Sequence, residues 1–265
     1  MSTLSFGIVF LNMIRNVIIM QQSGLVLFSK EFINSIAQPR LVGSLITAII
    51  EFGQQTTGMG VCFIELTHVS ITIVTNDVAK IFCALFYDRE DGVIFGRLVC
   101  SEILNAFTQE YSSDLTQFGR NLKDFHGFHR KINNVVKLSA KPILLRLEGQ
   151  VGIRKVLLIN NGEIIDTPNS RVDQLGLLSS LSFITELCND ILASVDDSFH
   201  QMTLKSSDDN IIYLWKVHET SVLVVIADKS VGRELFVPHI EEALEIIEQV
   251  CILYSNLQQV SNGRG

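Results

Sequence analysis

The sequence predicts an α/β fold built as two tandem copies of one unit, and three observations carry that reading. Ile14 to Met20 reads IRNVIIM and Ile153 to Ile159 reads IRKVLLI, 139 positions apart. Each string is followed within a few residues by a glycine and another apolar run, QQSGLVLF after the first and NNGEIID after the second. Around both strings the spacing of apolar residues gives the same order, β-β-α-β-β-β-α, in a unit too long for a solenoid repeat.

In the first copy, residues 14–21 are apolar and β-branched, which favours a strand. QQSG makes a turn in which Gly24 is free to take positive φ, and residues 25–32 return as the partner strand. Pro39 suits the first turn of a helix, and Leu41, Val42, Leu45, Ile46, Ile49 and Ile50 recur at helical spacing as its buried stripe. Gly53 reads as the stop, with QQTTGMG a loop. Strands follow at 61–66, 69–75 and 80–87, separated by short turns and ended by DREDG. A helix then presents Val99, Ile103, Leu104 and Phe107 on one side. Leu115, Phe118, Leu122, Phe125, Ile132 and Val136 predict one or two further helices.

Pro142 in SAKP breaks that pattern, because proline removes a helical donor. Residues 143–148 read as a short helix or a lead-in strand. The second copy starts with a strand over 153–160, a tight NNG turn and a strand over 163–167. Asp173 is a candidate N-cap for a long helix with Leu177, Leu178, Leu181, Ile184, Cys188, Ile191 and Leu192 as its stripe. Strands are expected at 199–205, 211–217 and 222–227. The last helix starts at Pro238, buries Ile240, Ala243, Leu244, Ile247, Val250, Cys251 and Tyr254, and carries Glu241 and Glu242 at its positive end. The expected organisation is an N-terminal extension over 1–12, a first domain over 13–138, a junction over 139–152, a second domain over 153–260 and a tail over 261–265. The extension is expected to be mobile or partner-seeking.

A chain of 265 residues, 47% of them hydrophobic, is long enough for each half to bury its own core. Only 18% are charged and the mean hydropathy is +0.32, so apolar surface is buried within the chain or against a partner. A net charge of −7 and scattered basic residues argue against nucleic-acid binding; the nearest basic cluster, HGFHRK, is too short. The five cysteines, Cys62, Cys83, Cys100, Cys188 and Cys251, are dispersed, as expected of reduced, buried thiols in a cytosolic protein. The N-terminus lacks the basic region and cleavage site of a signal peptide. No run reaches the roughly 18 apolar residues of a membrane span.

The sequence shows no catalytic constellation. There is no phosphate-cradling GxxxxGK[ST], and the glycines of GMG (Gly58, Gly60) precede a strand where a dinucleotide loop would follow one. His126 and His129 share a helix face with Asp124 near, but no third ligand at metal spacing accompanies them, and a solvated helix end is the better reading. There is no GxSxG elbow. Asp196–Asp197 and Asp208–Asp209 sit in Ser/Asn-rich turns and read as solvated charge. DREDG lacks the alternation and terminal Glu of a calcium loop. No cofactor, metal or catalytic residue is expected.

What remains is surface. On the first-copy helix the side opposite the stripe carries Gly43, Ser44, Thr47 and Ala48; on the second-copy helix it carries Gly176, Ser179, Ser180 and Phe183. Small residues let another backbone approach closely. Low charge and positive mean hydropathy favour a partner interface over a neutral solvent face.

MIRNVIIMQQSGLVLFSKEF, then an apolar helix, three strands and a closing helix, resemble a longin domain. GIRKVLLINNGEIIDTP with DQLGLLSSLSFITEL and three strands resembles a second longin domain or a roadblock domain. A helix before IRKV favours roadblock and one after the last strand favours longin. The resemblance implies, in each copy, a five-stranded antiparallel sheet with helices on both faces. It implies a non-catalytic adaptor or scaffold in membrane trafficking or GTPase regulation, of the guanine-nucleotide exchange complex type. Such an adaptor would bind a small GTPase or another longin or roadblock protein, form a homo- or heterodimer, and stay cytoplasmic, reaching endomembranes only through its partners. The alternatives are a coat, tether or SNARE-regulating scaffold without GTPase contact, and a small-ligand sensor with Gly58–Gly60 and phenylalanines lining its pocket.

Overall fold

The computed structural model describes residues 14–32, 38–112, 125–167, 174–205 and 209–262. They form two compact units. One holds the described residues up to Val136 and those from Ile252 on; the other is Lys137–Cys251.

The first unit is built on β1 (Ile14–Gln21), β2 (Val26–Glu31), β3 (Phe63–Glu65), β4 (Val69–Asn76) and β5 (Ile81–Asp88), in the sheet order β2-β1-β5-β4-β3. All neighbours are antiparallel. Alternation along β1 feeds two cores. Ile18 and Met20 join Val26, Ile46 and Phe82 beneath α1 (Pro39–Thr57). Ile19 pairs with Phe28, whose ring meets those of Phe107 and Phe128 on the other face. A bulge between Ile19 and Met20 inserts Leu27 opposite the break, and so lets Phe28 and Val26 face opposite ways. That second face carries α2 (Gly92–Glu110), lying on β4 and β5, and α3 (Phe128–Leu138). Lys30 of β2 donates to the His129 carbonyl and, at 2.8 Å, to Asn133 Oδ1 of α3. Phe107 stands 5.2 Å edge-on from Phe128 and closes the layer.

The second unit repeats the sheet with β6 (Ile153–Asn160), β7 (Glu163–Asp166), β8 (Gln201–Lys205), β9 (Asn210–His218) and β10 (Ser221–Asp228), in the order β7-β6-β10-β9-β8, again antiparallel throughout. Leu157, Ile159, Leu181, Phe199 and Leu214 make the core under α5 (Gln174–Ala193). On the other face α4 (Lys141–Glu148) packs on β6 and β7, and α6 (Val237–Asn262) brings the Cys251 thiol onto Ser221 of β10.

The repeated IR string has a physical role in both units. Arg15 Nε donates to Asp88 Oδ1 at 2.6 Å, and Arg154 donates to Asp228 Oδ2 at 2.5 Å. Each arginine is the second residue of the unit's first strand, and each aspartate ends its fifth. The sheet register shifts beside each pair, between Ile14 and Asn16 in one unit and between Ile226 and Ala227 in the other.

Several expectations change. α1 does not stop at Gly53; it runs to Thr57 and is closed by Gly58, whose left-handed φ of 72° lets its N–H reach the Gln54 carbonyl. Gly53 serves close approach instead, since a Cβ there would lie 2.8 Å from Val61 Cγ2. Residues 143–148 fall in a helix, with Pro142 in its first turn, and not in a strand. β3 is shorter than expected, at Phe63–Glu65. Residues 1–13, Leu115, Phe118, Leu122 and Asp173 lie outside the described residues.

Candidate interaction surfaces

On α1, the face turned to the sheet holds Val42, Ile46 and Ile50. Gly43 lies on that face too. It is buried, and a Cβ there would come within 3.1 Å of Val26 Cγ2 and 3.5 Å of Met20 Sδ. Thr47 donates its hydroxyl to the Gly43 carbonyl at 3.0 Å and sits beside Met20. Gly43 and Thr47 therefore do not point outward as the sequence suggested; the small side chain serves to press α1 onto β1 and β2. With the helix turned this way, Leu41 and Leu45, expected in the core, are outside. Leu41 is 65% exposed and Phe52 69%, and with Leu45 and Ala48 they form an apolar stripe at helical spacing on the outward face. Ser44 lies beside it, exposed, its hydroxyl donating to the Arg40 carbonyl.

α5 repeats the arrangement. Leu181, Cys188 and Leu192 turn to the sheet. Phe183, Leu187 and Ile191, each four residues on, turn outward; Phe183 is 66% exposed and Ile191, expected in the core, 59%. Ser179 and Ser180 are exposed at the start of this face. Gly176 is within α5, but its surroundings lie outside the described residues. Apolar residues on almost every side of both helices explain the misplacement, because period alone does not choose a face when two are apolar. The signal that could have chosen it is Gly43: a helical glycine between apolar residues marks a close approach to the sheet.

The His126 and His129 rings are 5.1 Å apart, with His129 also against Phe28 at 4.6 Å. Burial, then His126 and Lys30, lowers the His129 pKa. Among the described residues no group of three or more His, Cys, Asp and Glu is placed to hold a metal ion. Within DREDG, Arg89–Asp91 forms a 3-10 turn whose Asp91 is buried. Gly58 and Gly60 face open space. Cys83, Cys100 and Cys251 are buried and Cys188 half-buried, whereas Cys62 is exposed, against expectation, because it precedes the shortened β3. Burial pushes the Cys83 thiol well up and the Cys251 thiol up to about 11, which makes both poor nucleophiles. No described helix is long and apolar enough to cross a membrane.

The architecture, two units each with a five-stranded antiparallel sheet and helices on both faces, is the one that the resemblance to longin and roadblock domains implied. No family model and no curated protein matches the chain. Solved structures do. MglB of Myxococcus xanthus is 19% identical, with a TM-score of 0.39 over 42% of this chain and 93% of that one. The gliding protein MglB of Thermus thermophilus is 14% identical, with a TM-score of 0.37 over 42% and 87%. A Roadblock/LC7 domain from Streptomyces avermitilis is 9% identical, with a TM-score of 0.36 over 40% and 91%. Each match takes most of the neighbour and less than half of this chain.

Proposed function

We propose that this chain is a non-catalytic adaptor that holds partner proteins on the outward faces of α1 and α5. The partner class is a small GTPase or a further longin or roadblock protein, in a complex of the guanine-nucleotide exchange type, and any contact with endomembranes runs through that complex. One observation carries the reading: the same helix in both units turns an apolar stripe outward, Leu41, Leu45 and Phe52 in one and Phe183, Leu187 and Ile191 in the other. Exposed apolar surface at two matched places is costly to keep in water unless something covers it. Ser44, Ala48, Ser179 and Ser180 lie on the same faces and let a partner backbone come close. The GTPase class comes from the resemblance to longin and roadblock domains.

The test has two steps. Light-scattering mass of the purified chain is expected to exceed that of a monomer or to rise with a co-expressed partner, and to fall when Leu45→Asp with Phe52→Asp breaks the α1 stripe. A panel of small GTPases, loaded with GDP or a non-hydrolysable GTP analogue, is then captured on the chain. Capture that depends on nucleotide state and is lost with Phe183→Asp and Ile191→Asp supports the reading. No capture across the panel removes the GTPase.

A further inference from the structure

The second unit carries a groove of about 360 Å³ between α5 and the tips of the β6–β7 and β9–β10 hairpins. Its floor is apolar, made by Ile159 of β6, Leu181 of α5 and Val222 of β10. Its rim is acidic: Glu186 and Asp190, one turn apart on α5, and Glu219 in the β9–β10 turn. Among the described residues no lysine or arginine lines it. None of the three carboxylates makes an ion pair among the described residues.

The matching place in the first unit carries larger side chains. Met20 and Phe82 are cross-strand partners there, where the second unit pairs Ile159 with Val222. The turn glycines diverge as well. Both take positive φ, 85° at Gly24 and 75° at Gly162, so both serve their hairpins. A Cβ on Gly24 would meet Thr47 Oγ1 of α1 at 3.3 Å, whereas a Cβ on Gly162 would meet nothing within 4 Å. The first helix sits against its hairpin tip and α5 stands off it. Charge diverges in the same direction. Lys137–Cys251 holds 10 lysines and arginines against 17 aspartates and glutamates, and the rest of the chain holds 11 of each.

Like charges at i and i+4 on a helix repel, and Glu219 adds a third across the groove, so the rim favours a cation. A bare divalent ion needs several oxygens converging on one point, and these carboxylates do not provide that. The floor asks for apolar contact, which a bare ion cannot supply. A lysine or arginine side chain meets both demands, because its methylene stem covers apolar surface while its head reaches carboxylates. The geometry points to a docking groove for a basic, otherwise apolar segment of a partner protein, its cationic side chain lying over Ile159, Leu181 and Val222 with its head among Glu186, Asp190 and Glu219. This rests on the adaptor reading and adds the chemistry of one partner element.

The test titrates the full chain into a short fluorescent peptide of leucine and arginine, followed by anisotropy at physiological salt, beside a twin with glutamine for arginine. Saturable binding of the arginine peptide is expected, weakened about tenfold or more in the glutamine twin and in Glu186→Lys with Asp190→Lys. Val222→Phe, which fills the floor as Phe82 does and leaves every charge, is expected to weaken it similarly. Glu245→Lys, an exposed charge on α6, is expected to leave it within about twofold. The proposal is overturned if binding is not saturable, if Glu245→Lys loses as much as the α5 double variant, or if Val222→Phe binds like the parent. Peptide binding without capture of any GTPase keeps the groove and removes the GTPase partner. Capture of a GTPase without peptide binding removes the groove and keeps the adaptor.

Discussion

In the first unit the helix lying along β2 is α3, which follows β5 and α2 in the chain; in the second the helix lying along β6 and β7 is α4, which precedes them. The same part of the sheet is thus covered from opposite chain directions. The ties differ accordingly. In the first, Lys30 reaches α3 through neutral oxygens. In the second, Lys155 of β6 pairs with Glu148 of α4 at 3.2 Å. The sheet does not care which segment covers it, provided the covering helix presents an apolar face and the strand supplies a polar anchor. Order in the sequence and order in the packed layer are separate properties.

Matched core truncations break the comparison hardest. Ile18→Ala in β1 and Leu157→Ala at the corresponding place in β6 both remove fully buried side chains. Each is expected to cost about 2–5 kcal/mol. Trp215, the one tryptophan, lies in β9, so its fluorescence reports the second unit while circular dichroism reports both. Leu157→Ala is expected to move the Trp215 transition in denaturant, and Ile18→Ala to move only the part of the dichroism that Trp215 does not follow. Coincident shifts in both variants would mean the units unfold as one. A smaller effect is expected of Gly96→Ala in α2, where a Cβ would lie 2.2 Å from the Tyr87 ring. Overpacking of that kind costs about 1–3 kcal/mol. The corresponding residue at the end of β10 is Ala227, which makes no such demand on its helix, so the loss belongs to the first unit alone.

Most of the fold was legible because its signals are local. The β-branched runs, the turn glycines and the period of α2 and α6 each point to one answer, and the repeat made each copy a check on the other. The helix faces were not legible. α1 and α5 are apolar on both sides, so their orientation is decided by what the sheet offers: Met20 and Val26 accept Gly43 and exclude Leu45. α4 was left between helix and strand because eight residues opening at a proline hold too little period to decide. The groove was invisible for another reason. It depends on Val222 being smaller than Phe82 across a register known only once the strands are paired, and on carboxylates from two separate elements.

The two arginine–aspartate clamps offer a finer contrast, in acid. Hydrogen bonds from Arg154 and then Ser230 hold the Asp228 carboxyl well below the usual carboxylate range. Below about pH 4 the unfolded chain takes up a proton there that the folded one refuses, so this clamp's contribution is full above that pH and shrinks as pH falls. Asp228→Asn is expected to lower the Trp215 midpoint at neutral pH and to converge with the parent in acid. A difference that stays constant down to pH 2 would place the effect in side-chain packing and not in ionisation.

The smallest expected effect runs the other way on the pH scale and belongs to the first unit. Burial against α3 pushes the Lys30 ammonium down to about 8. Its contacts, the His129 carbonyl, Asn133 Oδ1 and the Phe32 ring 4.9 Å away, solvate the charge without neutralising it. Below pH 8 both folded and unfolded chains hold the proton, and the folded state bears the cost of burying it. Between about 8 and the ordinary lysine value near 10.4, only the unfolded chain keeps it, so the first unit gains stability as pH rises. Lys155, its counterpart as a sheet-to-helix tie, has Glu148 for a partner. The expected outcome is a dichroism midpoint for the first unit that climbs from pH 8 to 10 relative to the Trp215 midpoint, and a climb that vanishes in Lys30→Met. Persistence of the climb in Lys30→Met would move its origin to another group and leave Lys30 as an anchor without a titration of its own.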